Sequence, residues 1–434
     1  MSTMYKLGND GAIRPILDRL ASFAGRPDIM QAISSSSSAP EGWVSISTAS
    51  DGSVSLVAAR MDLIARVPLD GVIVEGDAPP PEVLIPLEWM ARLAKLAGSL
   101  SMPIEIEVDL NTNTATMSGL GSTQVITDRP GPPLRIGQPA ASTVMDTEKL
   151  RLALRRASAI SRQHGTGNSD AIPPQIIMGF GATDVTVVAM PLPSSHMLYA
   201  ERLPLSTNDL DGVAIRMPGP LTSSLMNNLH QFLGHEITVG VDSTTKPTRL
   251  IVTPKDAPAS GVYLVIGLIS GNSISPQTFD FADYTLTPPL QEAAQIYVDQ
   301  SKLTVWLRAL AKARTDVRIA VTNRGGSFVA EGDTPKGQAT LETLVIPPSS
   351  TSTSGIGETV AITEYLLTSV AAMAGTDEDE SVDKDSKGII TLALVPMPRD
   401  PKILTINVRL AGVGGAICLA PIVRTSKAAT AKAA

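Results

Sequence analysis

This sequence is poor in the residues from which most chemistry-bearing sites are built. One cysteine, Cys418, stands in 434 residues, so no internal disulfide can form, and its apolar setting (Ala416-Ile417-Cys418-Leu419) is that of a buried, inert thiol. Only four histidines occur (His164, His196, His230 and His235). None belongs to a His-Glu-x-x-His pair, and a lone cysteine cannot make a Cys pair, so the common zinc frameworks are excluded. Aromatic residues are 3% of the chain, so its cores must be assembled from Ala, Val, Leu, Ile and Met, which suits thin layers of helix on sheet. No apolar run reaches membrane-spanning length. Polar Asn9, Asp10 and Arg14 occupy the region where a secretory signal would carry its apolar segment. A soluble protein of the reducing cytoplasm is expected, with no membrane partner.

The motifs that would indicate catalysis are also missing. Gly412-Val413-Gly414-Gly415 has neither the spacing nor the strand-to-helix setting of a phosphate loop. Ser194 and Ser195 precede His196, but adjacency in sequence does not bring a serine Oγ onto an imidazole. The acidic run Asp377-Glu378-Asp379-Glu380, with Asp383 and Asp385, lacks the ligand-and-glycine order of a calcium loop and reads as a solvated loop. No enzyme activity, cofactor or metal is expected.

What the chain does have is recurrence. Hydrophobic residues make up 43% of it and the net charge is −7, which at first argues against a polyanionic partner. The charges are unevenly placed. Six amphipathic stretches lie near Ala12 to Ala24, Pro86 to Gly98, Thr147 to Arg162, Pro220 to Leu233, Ser301 to Arg314 and Ala361 to Gly375. Taken together they are net cationic by several charges, and the rest of the chain carries the excess acid. A helix-then-strands unit repeated in this way indicates a scaffold rather than a pocket.

Helical geometry separates the two faces of these stretches. At about 100° per residue, Arg151, Arg155 and Arg162 fall within about 40° of one another, while Leu150, Leu154 and Ala157 lie to one side. In the fifth stretch Leu303, Trp306, Leu307 and Leu310 form the apolar stripe, with Arg308 and Lys312 opposite. The second sets Trp89, Leu93 and Leu96 against Arg92 and Lys95. Cations on a single packed helix merely keep its outer face soluble; the same pattern in several equivalent helices against an acidic background points to a polyanion. The fourth stretch offers only Asn227, Asn228 and His230, and the sixth only Glu364, so a basic lining would be uneven.

Between these stretches the chain alternates with period two. Ile104 to Leu110, Val317 to Val321 and Ile403 to Val408 read as half-exposed antiparallel strands, as do Val185 to Ala189, Ile237 to Val241, Val262 to Ile266 and Ile389 to Val395. Asn111-Thr112-Asn113 and Asn323-Arg324-Gly325-Gly326 are short polar turns. Helices are too few for parallel crossovers, so the class is α+β. Arg129-Pro130-Gly131-Pro132-Pro133 and Thr285 to Pro289 mark divisions, and Pro347 to Gly357 interrupts the last part. Three tandem domains follow (1–140, 141–287 and 288–425), each of two helix-plus-antiparallel-strand halves. Ser34 to Ser38 is read as an exposed loop and 426–434 as a disordered tail.

In this order the segments resemble the bacterial-type DNA sliding clamp, the beta subunit of DNA polymerase III, in a divergent form of the kind a phage could encode. Leu84-Ile85-Pro86-Leu87-Glu88-Trp89-Met90 through Ile104-Glu105-Ile106-Glu107-Val108 is similar to the strand, helix and strand of the family's first domain. Val187-Val188-Ala189 followed by Ser195-His196-Met197-Leu198 resembles the family's Thr-Asp-Gly-His-Arg-Leu stretch, keeping His and Leu and losing Asp, Gly and Arg. Phe281-Ala282-Asp283-Tyr284 is similar to its Phe-Pro-Asp-Tyr crossover, and Leu419-Ala420-Pro421-Ile422-Val423-Arg424 to its apolar, proline-containing terminus.

The resemblance implies a homodimeric closed ring with helices lining the hole. Such a ring would encircle double-stranded DNA without regard to sequence and tether a DNA polymerase, having been placed there by a clamp loader. It implies phosphate contacts from Arg14, Arg92, Lys95, Arg151, Arg155, Arg162, Arg308 and Lys312. A cleft for partner peptides is implied at Ser195, His196, Leu198, Tyr365, Ala420, Pro421 and Ile422, and a nucleoid-associated place in the cytoplasm. Ordinary core packing is the other reading of Leu198, Tyr365 and Ile422. A structural virion protein of capsid or tail, also low in aromatics and built in rings, is the alternative function.

Overall fold

The structure is a computed structural model that describes residues 2–7, 43–49, 51–60, 63–69, 71–76, 82–86, 104–109, 111–112, 114–117, 121–124, 139, 141–161, 175–190, 198–218, 236–242, 249–255, 263–267, 295–313, 317–321, 327–334, 337–346, 357–361, 363–373, 389–397, 400–410 and 416–423, with Ile16, Met90, Thr222, Leu225, Met226 and Leu229. The loops expected at 34–38 and 377–385 and the tail at 426–434 lie outside these residues. Every strand pairing among the described residues is antiparallel, in line with the α+β class. The chain divides into two compact units, residues 1–151, 205–211 and 220–271 in one, and 152–204, 212–219 and 272–434 in the other.

The first unit holds two sheets. The smaller has the order Ile73–Gly76, Ser2–Leu7, Ile104–Asp109, Thr114–Met117, Gly121–Gln124. Alternation explains its sidedness: Thr3, Tyr5 and Leu7 are buried, as are Ile104, Ile106 and Val108, while Glu107 between them is exposed. The Asn111-Thr112 turn closes its hairpin where expected, with the Asn111 amide donating to Asp109 Oδ1 at 2.9 Å.

The larger sheet of this unit has nine strands. Trp43–Thr48, Val54–Arg60, Leu63–Leu69 and Glu82–Pro86 form one part, and Ala141–Asp146, Thr207–Asn208, Glu236–Asp242, Arg249–Pro254 and Tyr263–Gly267 the other. The two parts join where Tyr263 to Ile266 pair with Arg66 back to Leu63, so segments on either side of the proline-rich division at 129–133 share one hydrogen-bonded ladder. Each part lends the other a partner for an edge strand that would otherwise be open. Just before Ala141 the chain crosses this sheet at Gly240, where an added Cβ would collide with the ring of Pro139; only glycine allows so close a crossing.

The second unit holds a sheet of twelve strands. Ala214–Pro218, Gln175–Phe180, Asp184–Met190 and Leu198–Pro204 form a meander, and Leu198–Pro204 then pairs with the last strand, Ala416–Val423. That last strand is a seam. Ala416 to Leu419 pair with Glu201 back to Leu198, and Ile422 and Val423 pair with Ala361 and Val360. On the edge opposite Leu198–Pro204, Cys418 to Pro421 pair with Val408 back to Thr405. From Gly357–Ala361 the ladder runs through Val317–Val321, Ser327–Thr334, Gly337–Ile346, Gln295–Asp299 and Ile389–Met397 to Asp400–Leu410, and so returns to the seam and closes on itself.

Three helices are described. Thr147–Ser161 follows the strand 141–146, and Gln300–Lys312 packs against Thr363–Ala372 in the second unit. Each of the first two is started by an aspartate: Asp146 Oδ1 accepts from the Lys149 amide and Asp299 Oδ1 from the Lys302 amide, both at 3.0 Å. Leu303, Leu307 and Leu310 are buried as the apolar stripe requires, with Trp306 half-buried beside them. In the fourth stretch the described residues Thr222, Leu225, Met226 and Leu229 are helical, and Thr222, Leu225 and Leu229 are buried at helical spacing.

Candidate nucleic-acid and client interface

The cations of the described residues fall into two groups. One group is engaged within the protein. Lys6 pairs with Glu75 at 2.7 Å, Lys255 with Glu236 at 2.6 Å, and Arg66 Nε donates to Ser55 Oγ at 2.8 Å. Arg151 grips Glu148, Nη2 to Oε1 at 2.6 Å and Nε to Oε2 at 3.2 Å. Its side chain is largely covered, 13% exposed, so its charge is half spent on its own helix.

The other group faces solvent. Lys149 and Arg155 on Thr147–Ser161, and Lys302, Arg308 and Lys312 on Gln300–Lys312, are exposed and form no ion pair among the described residues. On the second helix these three cations lie on one face with Val305, which is 66% exposed, opposite Leu303, Leu307 and Leu310. Unneutralised cations on one helical face are what a mobile, sequence-independent phosphate contact requires. Of the residues expected to touch phosphate, Arg155, Arg308 and Lys312 therefore stand free among the described residues and Arg151 is shared with Glu148. Arg14, Arg92, Lys95 and Arg162 lie outside the described residues.

Arg156, next to Arg155, does something else. Its side chain is 5% exposed, and Nη1 reaches Glu201 Oε1 at 3.0 Å and Oε2 at 3.1 Å. Tyr199, fully buried, donates its hydroxyl to Glu201 Oε2. Burial first, and then the Glu201 carboxylate, push the Tyr199 phenol well above its ordinary value of 10.0, so the hydroxyl keeps its proton and remains the donor. Sequence reasoning did not find this network. The one signal was a carboxylate at Glu201 on the strand face shared with Tyr199 and Leu203, where alternation calls for an apolar side chain.

The residues expected to bind a partner peptide come from three distant segments, and the backbone of the second unit gathers them. Leu198 is opposite Leu419, one residue before Ala420; Ala420 and Pro421 are opposite Ile406 and Thr405; Ile422 is opposite Ala361. Two residues beyond Ala361 the helix Thr363–Ala372 begins, packs on the seam strand, and carries Tyr365, which is half-buried. Leu198, Tyr365 and 420–422 thus cluster at the point where the seam's two pairing partners part. Ser195 and His196 lie outside the described residues.

Antiparallel sheets joined edge to edge between successive segments, with few helices, define a class. The fold is that of the bacterial DNA sliding clamp. The chain superposes on a putative DNA polymerase III beta subunit from Eubacterium rectale with a TM-score of 0.69 at 10% identity, covering 98% of this chain and 100% of that one. A DnaN sliding clamp from Pseudomonas aeruginosa bound to griselimycin gives 0.68 at 14%, and a DNA polymerase sliding clamp from Bacillus subtilis 0.67 at 14%, each with the same coverage. No family profile matches the sequence, and no curated protein aligns with it. No described helix is long and apolar enough to cross a membrane.

Proposed function

We propose that this chain is a DNA sliding clamp: a homodimeric ring of three modules per chain (1–140, 141–287 and 288–425) that encircles duplex DNA and tethers a DNA polymerase. The observation that carries the reading is the likeness to clamps over 98% of the chain. Arg155, Lys302, Arg308 and Lys312, without ion pairs among the described residues of that fold's helices, agree with it. The mechanism needs no bond chemistry. A ring around DNA cannot leave sideways, so a polymerase bound to it rebinds its template at high effective concentration. Sliding requires contacts that are weak and indifferent to sequence, which lysine and arginine on phosphate provide and base-reading contacts would spoil. The other cationic positions of the lining are Arg14, Arg92, Lys95, Arg151 and Arg162. Client peptides dock at Ser195, His196, Leu198, Tyr365, Ala420, Pro421 and Ile422, and a clamp loader places the ring on DNA.

The test is topological. After loading, the protein should stay on closed circular DNA and run off the same DNA once it is linearised; equal retention on both forms rejects encirclement. The Pseudomonas clamp was solved bound to griselimycin, so that compound is the first ligand to try on this chain. Substituting Leu198 or Ile422 by Asp should abolish any binding of it.

A further inference from the structure

We propose that the buried Arg156–Glu201–Tyr199 network is a registry lock that positions the client-docking seam, holding strand Leu198–Pro204 at one setting against helix Thr147–Ser161 and the terminal strand Ala416–Val423. The docking role of that seam rests on the reading above; the lock itself rests on what the structure places together.

The core around the network has little shape of its own. Ala153, Leu154 and Ala157 on the helix and Val187, Ala189 and Leu203 on the strands are buried aliphatic residues, and such surfaces tolerate shifted packings at small cost. A buried ion pair has the opposite character. Desolvating two charges offsets most of their attraction, so the pair contributes little net stability over apolar residues of similar size. Separating the charges, however, leaves each one stranded out of water. The Arg156 guanidinium therefore accepts one position of the Glu201 carboxylate, and the Tyr199 hydroxyl fixes its second oxygen. A slip of one residue along the strand would bring Ala200 or Arg202 to face Arg156 and turn every side chain of the strand to the other face. Both alternatives are forbidden by charge.

The consequence reaches the seam through the backbone. Glu201 is opposite Ala416 and Tyr199 opposite Cys418, in the same ladder that sets Leu198 against Leu419. Fixing Glu201 under the helix thus fixes Leu198, and with it the stretch 419–422 that the docking cluster uses. Arg156, Tyr199 and Glu201 act here as positioning residues.

The test separates position from stability. In Arg156→Met/Tyr199→Phe/Glu201→Leu both charges and the hydroxyl that depends on them go and the volume stays, so the melting temperature should equal or exceed that of the wild type. Backbone amide exchange across Leu198–Glu201 and Ala416–Leu419 should nevertheless rise at least tenfold, while the hairpin of Ile389–Met397 with Asp400–Leu410, in the same unit, exchanges as before. Wild-type exchange at the seam would overturn the proposal, and so would equal acceleration of the reference hairpin, which would mark a general loss of stability. Should that triple variant not fold, Tyr199→Phe alone carries the test: it should speed seam exchange severalfold, and no change would overturn the lock. Exchange needs neither DNA nor ligand, so griselimycin binding that survives both Leu198→Asp and Ile422→Asp would count against the client cleft alone.

Discussion

Thr147–Ser161 and Gln300–Lys312 start alike, on an aspartate that caps a lysine amide, and they use their cations in opposite ways. The first helix is the richer, with Lys149, Arg151, Arg155 and Arg156, yet Arg151 is held by Glu148 and Arg156 by Glu201. The second has only Lys302, Arg308 and Lys312, and all three face solvent unpaired among the described residues. Counting charges would rank the first helix as the stronger phosphate binder. Partners reverse the ranking: one helix spends arginines on internal order, while the other leaves every cation exposed to solvent.

The comparison is broken most sharply at adjacent residues. Glu201→Ala strands the buried Arg156 guanidinium and should cost about 3–5 kcal/mol in urea unfolding. Arg155→Ala, one position away, should stay within about 0.5 kcal/mol of wild type. Similar losses for both would erase the distinction between inner and outer arginine.

On DNA the order should invert. Arg308→Glu with Lys312→Glu should weaken association and reduce the slope of log affinity against log salt by about two, near 0.9 for each phosphate contact removed. Adding Arg155→Glu should reduce it further. Reversing Arg151 alone should change the slope by less than reversing Arg308 alone, because Glu148 already neutralises Arg151. An Arg151 effect as large as that of Arg308 would show that the pair with Glu148 opens on DNA.

The smallest effect concerns the shared cap. Hydrogen bonds from the Ser301 hydroxyl, and then from the Lys302 amide, hold the Asp299 carboxyl below its ordinary 3.8. A carboxyl lowered on folding contributes stability above its unfolded value and loses it as pH falls through the folded one. The stability difference between wild type and Asp299→Asn should therefore be present at pH 6 and shrink below pH 4; a difference constant from pH 6 to pH 2 would contradict the cap.

Much of the architecture was legible in the residues because it is local. Alternation placed strands at 104–110, 185–189, 237–241, 317–321 and 389–395, and the structure has them at 104–109, 184–190, 236–242, 317–321 and 389–397, since period two needs only the neighbouring side chains and one buried face. Helical spacing located the buried stripe Leu303, Leu307 and Leu310 for the same reason. The same wheel put Arg151 and Arg155 on one face and said nothing of Arg156. Its partner lies 45 residues away on a strand, and no periodicity carries information across that distance. The proline-glycine division at 129–133 marked a break in the chain, whereas the ladder between Leu63–Leu69 and Tyr263–Gly267 runs across it, because hydrogen bonds join strands by proximity and not by order.

By itself the sequence determined several of the strands and the helices at 147–161, 300–312 and 363–372, which faces of them are apolar, and where cations are concentrated, for these follow from geometry within a few residues. The tertiary structure alone decided which cations remain available to an anion and which are locked inside. It also decided that 198, 365 and 419–422 meet at one seam. Those outcomes depend on what packs against each side chain, and for Arg156 that is a carboxylate whose desolvated charge tolerates a single position.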